Sequence, residues 1–184
     1  IIGKYVNLKD AYKSLDEALI HGGIKNNIKV NLVRIESDKL KPNQINKFLK
    51  NVSGIVIPGG FGKRGTEGKI SAISYARKNK IPFLGICFGM QMAVIEFARN
   101  TLKIKNAGSS ELDKKCYPVI GLLNEWNKNG RLIKGTIKNL GGTMRLGLYE
   151  AKLRHNSLIE KIYKSKSIFE RHRHRYEVNN NLKN

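Results

Sequence analysis

The segment Pro82-Phe83-Leu84-Gly85-Ile86-Cys87-Phe88-Gly89-Met90-Gln91 constrains this 184-residue chain more tightly than any other. Its apolar run reads as a buried strand. The run breaks at Cys87, between two nearby glycines, and helical spacing over 90–100 follows at once. A residue at such a strand-to-helix junction is held in a strained backbone conformation with its side chain pushed outward, as in a nucleophile elbow. A thiol there faces the first amides of a helix. Those amides are expected to lower its pKa and to offer donors to an oxyanion. The competing reading is an inert core cysteine, a common fate of a free thiol.

The rest of the pattern gives that junction a frame. Residues 2–6 form a short strand candidate. Helical spacing follows over 10–20, with Ala11, Leu15, Ala18 and Leu19 on one stripe, and Gly22-Gly23 is expected to end it. Residues 28–35 alternate as a strand. Pro42 suits the first turn of a short helix that turns Ile45, Phe48 and Leu49 inward. Residues 53–57 read as a buried strand cut off by Pro58-Gly59-Gly60, and 66–80 as a helix with Ile70, Ile73, Tyr75 and Ala76 on its apolar side. This strand-helix alternation implies an α/β fold, with a mostly parallel sheet flanked by helices on both faces. After residue 115 a short antiparallel region is expected. Residues 131–139 and 143–152 would form a hairpin or two edge strands turning at Gly141-Gly142, 157–163 a short helix, and 168–178 a charged strand or loop. There is no repeat or low-complexity linker, so the simplest organisation is a single domain over 1–184.

Composition narrows the class of function. No apolar stretch approaches the length of a membrane span, and residues 1–6 are too short for a signal peptide. The chain lacks a starting Met and is expected to be a piece of something longer. Two cysteines, Cys87 and Cys116, make no disulfide framework, which points to a reducing, cytoplasmic setting. Thirty-five basic against 14 acidic residues give a net charge of +21. That invites a polyanion partner. Yet the basic residues are spread along the chain, and abundant Lys, Asn and Ile also fit AT-rich codon usage. Any nucleic-acid binding should be weak and sequence-independent.

In a parallel α/β sheet the site lies beyond the carboxyl ends of the strands. Two loops leave such ends: Pro58-Gly59-Gly60-Phe61-Gly62 and the Cys87 turn. If their strands are neighbours, the Gly60 and Phe88 N–H groups can form an oxyanion hole for attack by Cys87. A thiolate nucleophile also needs a base. None of the four histidines, His21, His155, His172 and His174, stands out as one in the sequence.

Four stretches carry a family resemblance: Pro58-Gly59-Gly60-Phe61-Gly62, residues 85–91, Gly141-Gly142-Thr143-Met144-Arg145-Leu146-Gly147, and Glu170-Arg171-His172-Arg173-His174-Arg175-Tyr176-Glu177. From about residue 3 to 181 the chain resembles the glutaminase domain of the CTP synthase family, a class I glutamine amidotransferase. The first two stretches occur broadly among amidotransferases, and the last two are specific to that family. Another class I amidotransferase or cysteine hydrolase of the same fold is the alternative. A basic, non-enzymatic binding module is the reading from a different class.

The resemblance implies roles by position. Cys87 would attack the side-chain amide of L-glutamine and release ammonia. Gly60 and Phe88 would supply oxyanion amides, with Gly89 and Met90 in the same turn. Gln91 and Glu111 would contact glutamine, Glu111 at its α-ammonium. Arg175 would hold the α-carboxylate, which a guanidinium fork suits. Phe61 would take part in activation by GTP. In the whole enzyme the ammonia would aminate UTP to CTP. A synthetase domain preceding residue 1 would bind ATP and Mg²⁺ and form the homotetramer. No cofactor and no metal is expected on this chain itself. Two details depart from the family pattern: Phe88 stands where Leu is usual, and Gly108-Ser109-Ser110-Glu111-Leu112 is a loose form of Asn-Ser-Thr-Glu-Phe. The family's His-Pro-Glu segment, with its catalytic His and Glu, is expected beyond Asn184. The 184 residues alone are therefore expected to turn over glutamine poorly.

Overall fold

The computed structural model describes residues 1–8, 10–122 and 144–179 together with the backbone of 125–128 and 131–134. The chain divides into two compact units, Ile1–Gly121 with Val178–Asn184, and Leu122–Glu177.

The first unit is built on parallel strand pairs. β1 (Ile2–Gly3) pairs with β2 (Ile35–Glu36), and β3 (Ile55–Ile57) with β4 (Phe83–Gly85). β1 also lies beside β3. β5 (Ala107–Ser109) runs parallel to β6 (Tyr117–Leu122), with a register shift at Gly108 and Ser109. The connecting helices are α1 (Lys13–Lys25), α2 (Ile45–Leu49), α3 (Thr66–Lys78) and α4 (Phe88–Asn100), with a 3₁₀ turn at Ser37–Lys39. Ile2, Ile35, Leu49, Ile55, Ile57, Ile70, Ile73, Met92 and Ile95 are buried together with Phe88 and form the core. α3 packs on α4. There the Arg77 guanidinium grips the buried Glu96 carboxylate through Nε at 3.0 Å and Nη2 at 2.8 Å.

Three expectations are corrected in this unit. Gly22-Gly23 does not end α1, which continues to Lys25. Gly23 instead serves close approach: a Cβ there would stand 3.6 Å from Val30 Cβ, with the Val30 methyl nearer still. The 28–35 strand shrinks to Ile35–Glu36. Alternation alone supplied no pairing partner for its first part. Tyr75, expected on the apolar side of α3, is half-buried and donates its hydroxyl to Asn46 Oδ1 at 3.0 Å.

In the second unit β9 (Arg145–Lys152) pairs antiparallel with β10 (Ser167–His174), from Arg145 opposite His174 to Lys152 opposite Ser167. Between them lies α5 (Leu158–Tyr163). Its first turn is closed by Ser157 Oγ, which accepts the Glu160 N–H at 3.2 Å. β7 (Glu125–Lys128) and β8 (Arg131–Lys134) form a second antiparallel pair, and β11 (Tyr176–Val178) follows β10. The antiparallel region expected after residue 115 is present from β7 onward. The hairpin expected between 131–139 and 143–152 is not the pairing of the described residues, where β8 joins β7 and β9 joins β10. Its turn at Gly141-Gly142 lies outside the described residues.

Candidate active site

Because β3 and β4 are parallel neighbours, their carboxyl ends deliver two loops to one place. Ile57 stands opposite Gly85, and the Ile86 N–H donates to the Ile57 carbonyl at 2.9 Å. The loops touch just beyond: a Cβ on Gly59 would lie 3.6 Å from Cys87 Cβ. The convergence inferred from topology is therefore present.

Cys87 sits between β4 and α4 with φ +51° and ψ −103°. An L-residue pays steric strain there, of order 1–3 kcal/mol, which the surrounding structure must hold in place. Helix α4 begins immediately: the Gly89 N–H donates to the Ile86 carbonyl at 2.9 Å and the Gln91 N–H to the Cys87 carbonyl at 3.1 Å. The turn is this tight because Gly85 and Gly89 have no side chains. A Cβ on Gly85 would stand 2.7 Å from Met90 N, and one on Gly89 would overlap the Ile57 carbonyl.

The electrostatics correct one expectation. Cys87 is exposed at the surface, but its thiol pKa is raised, not lowered. Partial enclosure by protein is the largest cause. The Phe88 N–H opposes it, and the negative charge of Glu111 adds to the rise. One amide at a helix start is outweighed by desolvation and a nearby carboxylate. What distinguishes Cys87 is its exposure and its backbone geometry.

The glycine loop bounds the other side. A Cβ on Gly60 would meet nothing within 4 Å, so its backbone borders open space. Phe61 is 75% exposed. Gly62 has φ +76° and turns its N–H toward the Glu111 carboxylate. The Glu111 pKa is raised, first by burial, against the pull of that amide and of the Lys4 ammonium. The Glu111 backbone N–H donates to Ser109 Oγ at 3.2 Å, holding the residue in the turn after β5. Cys87, Gly60, Phe88 and Glu111 are thus gathered in one region of the first unit.

The remaining site residues fall as follows. Phe88 is 1% exposed, with its ring in the core and its N–H at Cys87. Gly89 and Gln91 are buried in the first turn of α4, and Met90 is exposed. Arg175 belongs to the second unit, half-buried between β10 and β11. Of the histidines, His21 and His155 are exposed beside Glu17 and Glu160. His172 Nδ1 and His174 Nε2 are 2.8 Å apart within the second unit. Among the described residues no group of three or more His, Cys, Asp or Glu could hold a metal ion, and no helix is long and apolar enough to cross a membrane.

Sequence reasoning missed two lysines. Lys4 follows β1, is 8% exposed, and places its ammonium 5.8 Å from the centre of the Phe88 ring. Lys69 is 2% exposed on α3, 5.0 Å from the same ring. Its pKa is lowered to about 8 by burial first and the Lys4 charge second. A signal existed: Lys69 shares the helical stripe of Thr66, Ile73 and Ala76, and Lys4 interrupts an apolar strand.

The family model described as glutamine amidotransferase class-I matches residues 7–184, and the chain belongs to that family. It is 75% identical over 179 residues to the CTP synthase of Pelagibacter ubique (strain HTCC1062). It is 56% identical over 180 residues to that of Brucella melitensis biotype 1. Each alignment covers 97% of this chain and 33% of the relative, so the chain spans about a third of the length of the curated relatives it matches. Among solved structures, the glutaminase domain of Trypanosoma brucei CTPS with bound acivicin superposes with a TM-score of 0.80 at 35% identity, covering 97% of this chain and 66% of that one.

Proposed function

We propose that this chain is the glutamine-hydrolysing part of a CTP synthase, with Cys87 as its nucleophile. The observation that carries the reading is the strained Cys87 at the β4–α4 junction, facing the Gly59-Gly60 loop within a chain of this family. In this reading Cys87 Sγ bonds to the side-chain amide carbon of L-glutamine while a base takes the thiol proton. The Gly60 and Phe88 N–H groups hold the oxyanion. The carbon–nitrogen bond then breaks and ammonia leaves with a returned proton. Water cleaves the thioester to release glutamate. Glu111 receives the substrate's α-ammonium, and Gln91 makes a further polar contact.

In the whole enzyme the ammonia aminates UTP, activated by ATP with Mg²⁺ in a synthetase domain of the same chain. That domain assembles a cytoplasmic homo-oligomer. Exposed Phe61 contributes to the response to GTP. The closeness of the CTP synthases at 75% and 56% identity supports this assignment over other amidotransferases.

The test places this chain in the matched segment of its 75%-identical relative. Cys87→Ala should abolish CTP formation from glutamine and leave formation from added ammonium salt intact. Equal loss of both activities, or retention of both, would refute the assignment of Cys87.

A further inference from the structure

We propose that Lys4 is a positioning residue of this site: its ammonium locks the peptide unit joining Phe61 to Gly62 and thereby sets the Gly60 amide and the Glu111 carboxylate. The inference rests on the roles given above to Cys87 and Glu111.

The geometry is specific. Lys4 Nζ donates to the Phe61 carbonyl and, at 3.0 Å, to the Gly62 carbonyl. The carbonyl of Phe61 and the N–H of Gly62 belong to one trans peptide and point in opposite directions. The first is held by the Lys4 cation and the second faces the Glu111 anion. The negative end of this peptide's dipole, the Phe61 oxygen, meets the cation, and its positive end, the Gly62 N–H, faces the anion, so each charge favours the same orientation of the plane. A rotation of that plane would move the adjoining Gly60 segment and withdraw the donor from Glu111.

Lys4 also reaches the other loop, since its ammonium stands over the ring of Phe88, whose N–H is aimed at Cys87. The backbone that carries Lys4 is anchored in turn. Its N–H donates to the Tyr12 hydroxyl at 3.2 Å, and its carbonyl accepts from Arg64 Nη2 at 3.2 Å. Arg64 is itself tied to Asp38 at 2.9 Å. A flexible side chain on a fixed stem, with its charge spent on two backbone carbonyls, is built to place a loop.

The test uses the same grafted enzyme with Lys4→Met and Lys4→Arg. Glutamine kinetics, thermal unfolding and amide hydrogen exchange of the 58–65 peptide are compared. Lys4→Met should lower kcat/KM for glutamine about 10²-fold, the usual consequence of misplacing a site by an ångström. It should speed exchange of the loop while the melting temperature stays close to the parent's. Lys4→Arg should recover part of both effects. Activity of Lys4→Met within twofold of the parent, or a loss that merely follows a fall in melting temperature, overturns the proposal. The exchange measurement needs no turnover. Unchanged exchange refutes the lock even if Cys87 proves catalytic, and faster exchange sustains the lock even if Cys87 does not.

Discussion

The backbone of Gly89 packs against the carbonyl of Ile57 so closely that a Cβ on Gly89 would overlap the oxygen and stand 2.9 Å from the carbonyl carbon. The contact joins the end of β3 to the first turn of α4, and so sets the distance between the two loops of the site. Gly60 is the opposite case, with nothing within 4 Å of its Cβ position. Gly89→Ala should therefore cost about 1–3 kcal/mol of stability through overpacking and abolish glutamine hydrolysis. Gly60→Ala should leave unfolding unchanged and lower kcat/KM for glutamine, since its methyl enters the space proposed for substrate. Thermal melts beside ammonia release would show it. Equal stability losses in the two variants would contradict the packing argument.

The raised thiol pKa of Cys87 has a kinetic signature. Only the thiolate alkylates, so labelling by iodoacetamide should climb steadily from pH 7 and reach no plateau below about pH 9. Cys116 is raised too, by burial and then by Asp113, and it is half-buried against Gly108, where a Cβ would meet its Sγ at 2.9 Å. Cys87 should label several-fold faster throughout, because it is exposed. Mass spectrometry of timed samples measures both rates. A plateau for Cys87 below pH 7 would mean that the helix amides outweigh desolvation after all.

What the sequence revealed follows from what neighbours in the chain can encode. The apolar run before Cys87, the glycines around it and the helical spacing after it are all local, and the elbow was legible from them. The parallel pairing of β3 and β4 was legible from the strand-helix order. The end of α1 was misread because Gly23 answers to Val30, a contact that spacing does not announce. The sign of the Cys87 shift was misread for a similar reason. It depends on how much protein surrounds the thiol and on Glu111, 24 positions later in the chain. Lys4 and Lys69 escaped notice because their shared partner, the Phe88 ring, is brought to them only by folding.

Lys69 makes stability depend on pH in a way that can be worked out in advance. Its folded pKa is about 8 against the ordinary 10.5. Between those values the folded chain has lost a proton that the unfolded chain keeps. The unfolded state binds more protons, and stability rises with pH across that window. Below about pH 8 both states are protonated, and the cost of burying the charge is constant. Lys69→Met should therefore raise the melting temperature at pH 7, by roughly 5 °C after allowing for the lost contact with Phe88. The advantage should shrink as pH rises toward 10. Comparing the two proteins at each pH removes the general effect of the other lysines. An advantage independent of pH would show that Lys69 does not titrate in this window.

Glu111 should give the site its acid limb. Burial raises its carboxyl above the ordinary range, while the Gly62 N–H and the Lys4 ammonium resist the rise. If the ionised form receives the α-ammonium of glutamine, protonation empties that subsite and substrate affinity falls. KM for glutamine should then increase as pH drops through the raised Glu111 pKa, at a pH higher than an ordinary glutamate would give, with kcat less affected. Glu111→Gln keeps the shape and an acceptor for Gly62 but loses the charge. It should raise KM on the order of 10–100-fold, as expected when a charge-assisted hydrogen bond is lost, and it should flatten the acid limb of kcat/KM. The charge of Glu111 also holds up the Cys87 thiol, so the same variant should label faster with iodoacetamide at neutral pH. The two readouts move in opposite directions, poorer glutamine use and a more reactive thiol, and general damage to the fold would not produce that pair. A variant with unchanged KM would remove Glu111 from the glutamine pocket, and slower labelling would contradict the coupling to Cys87.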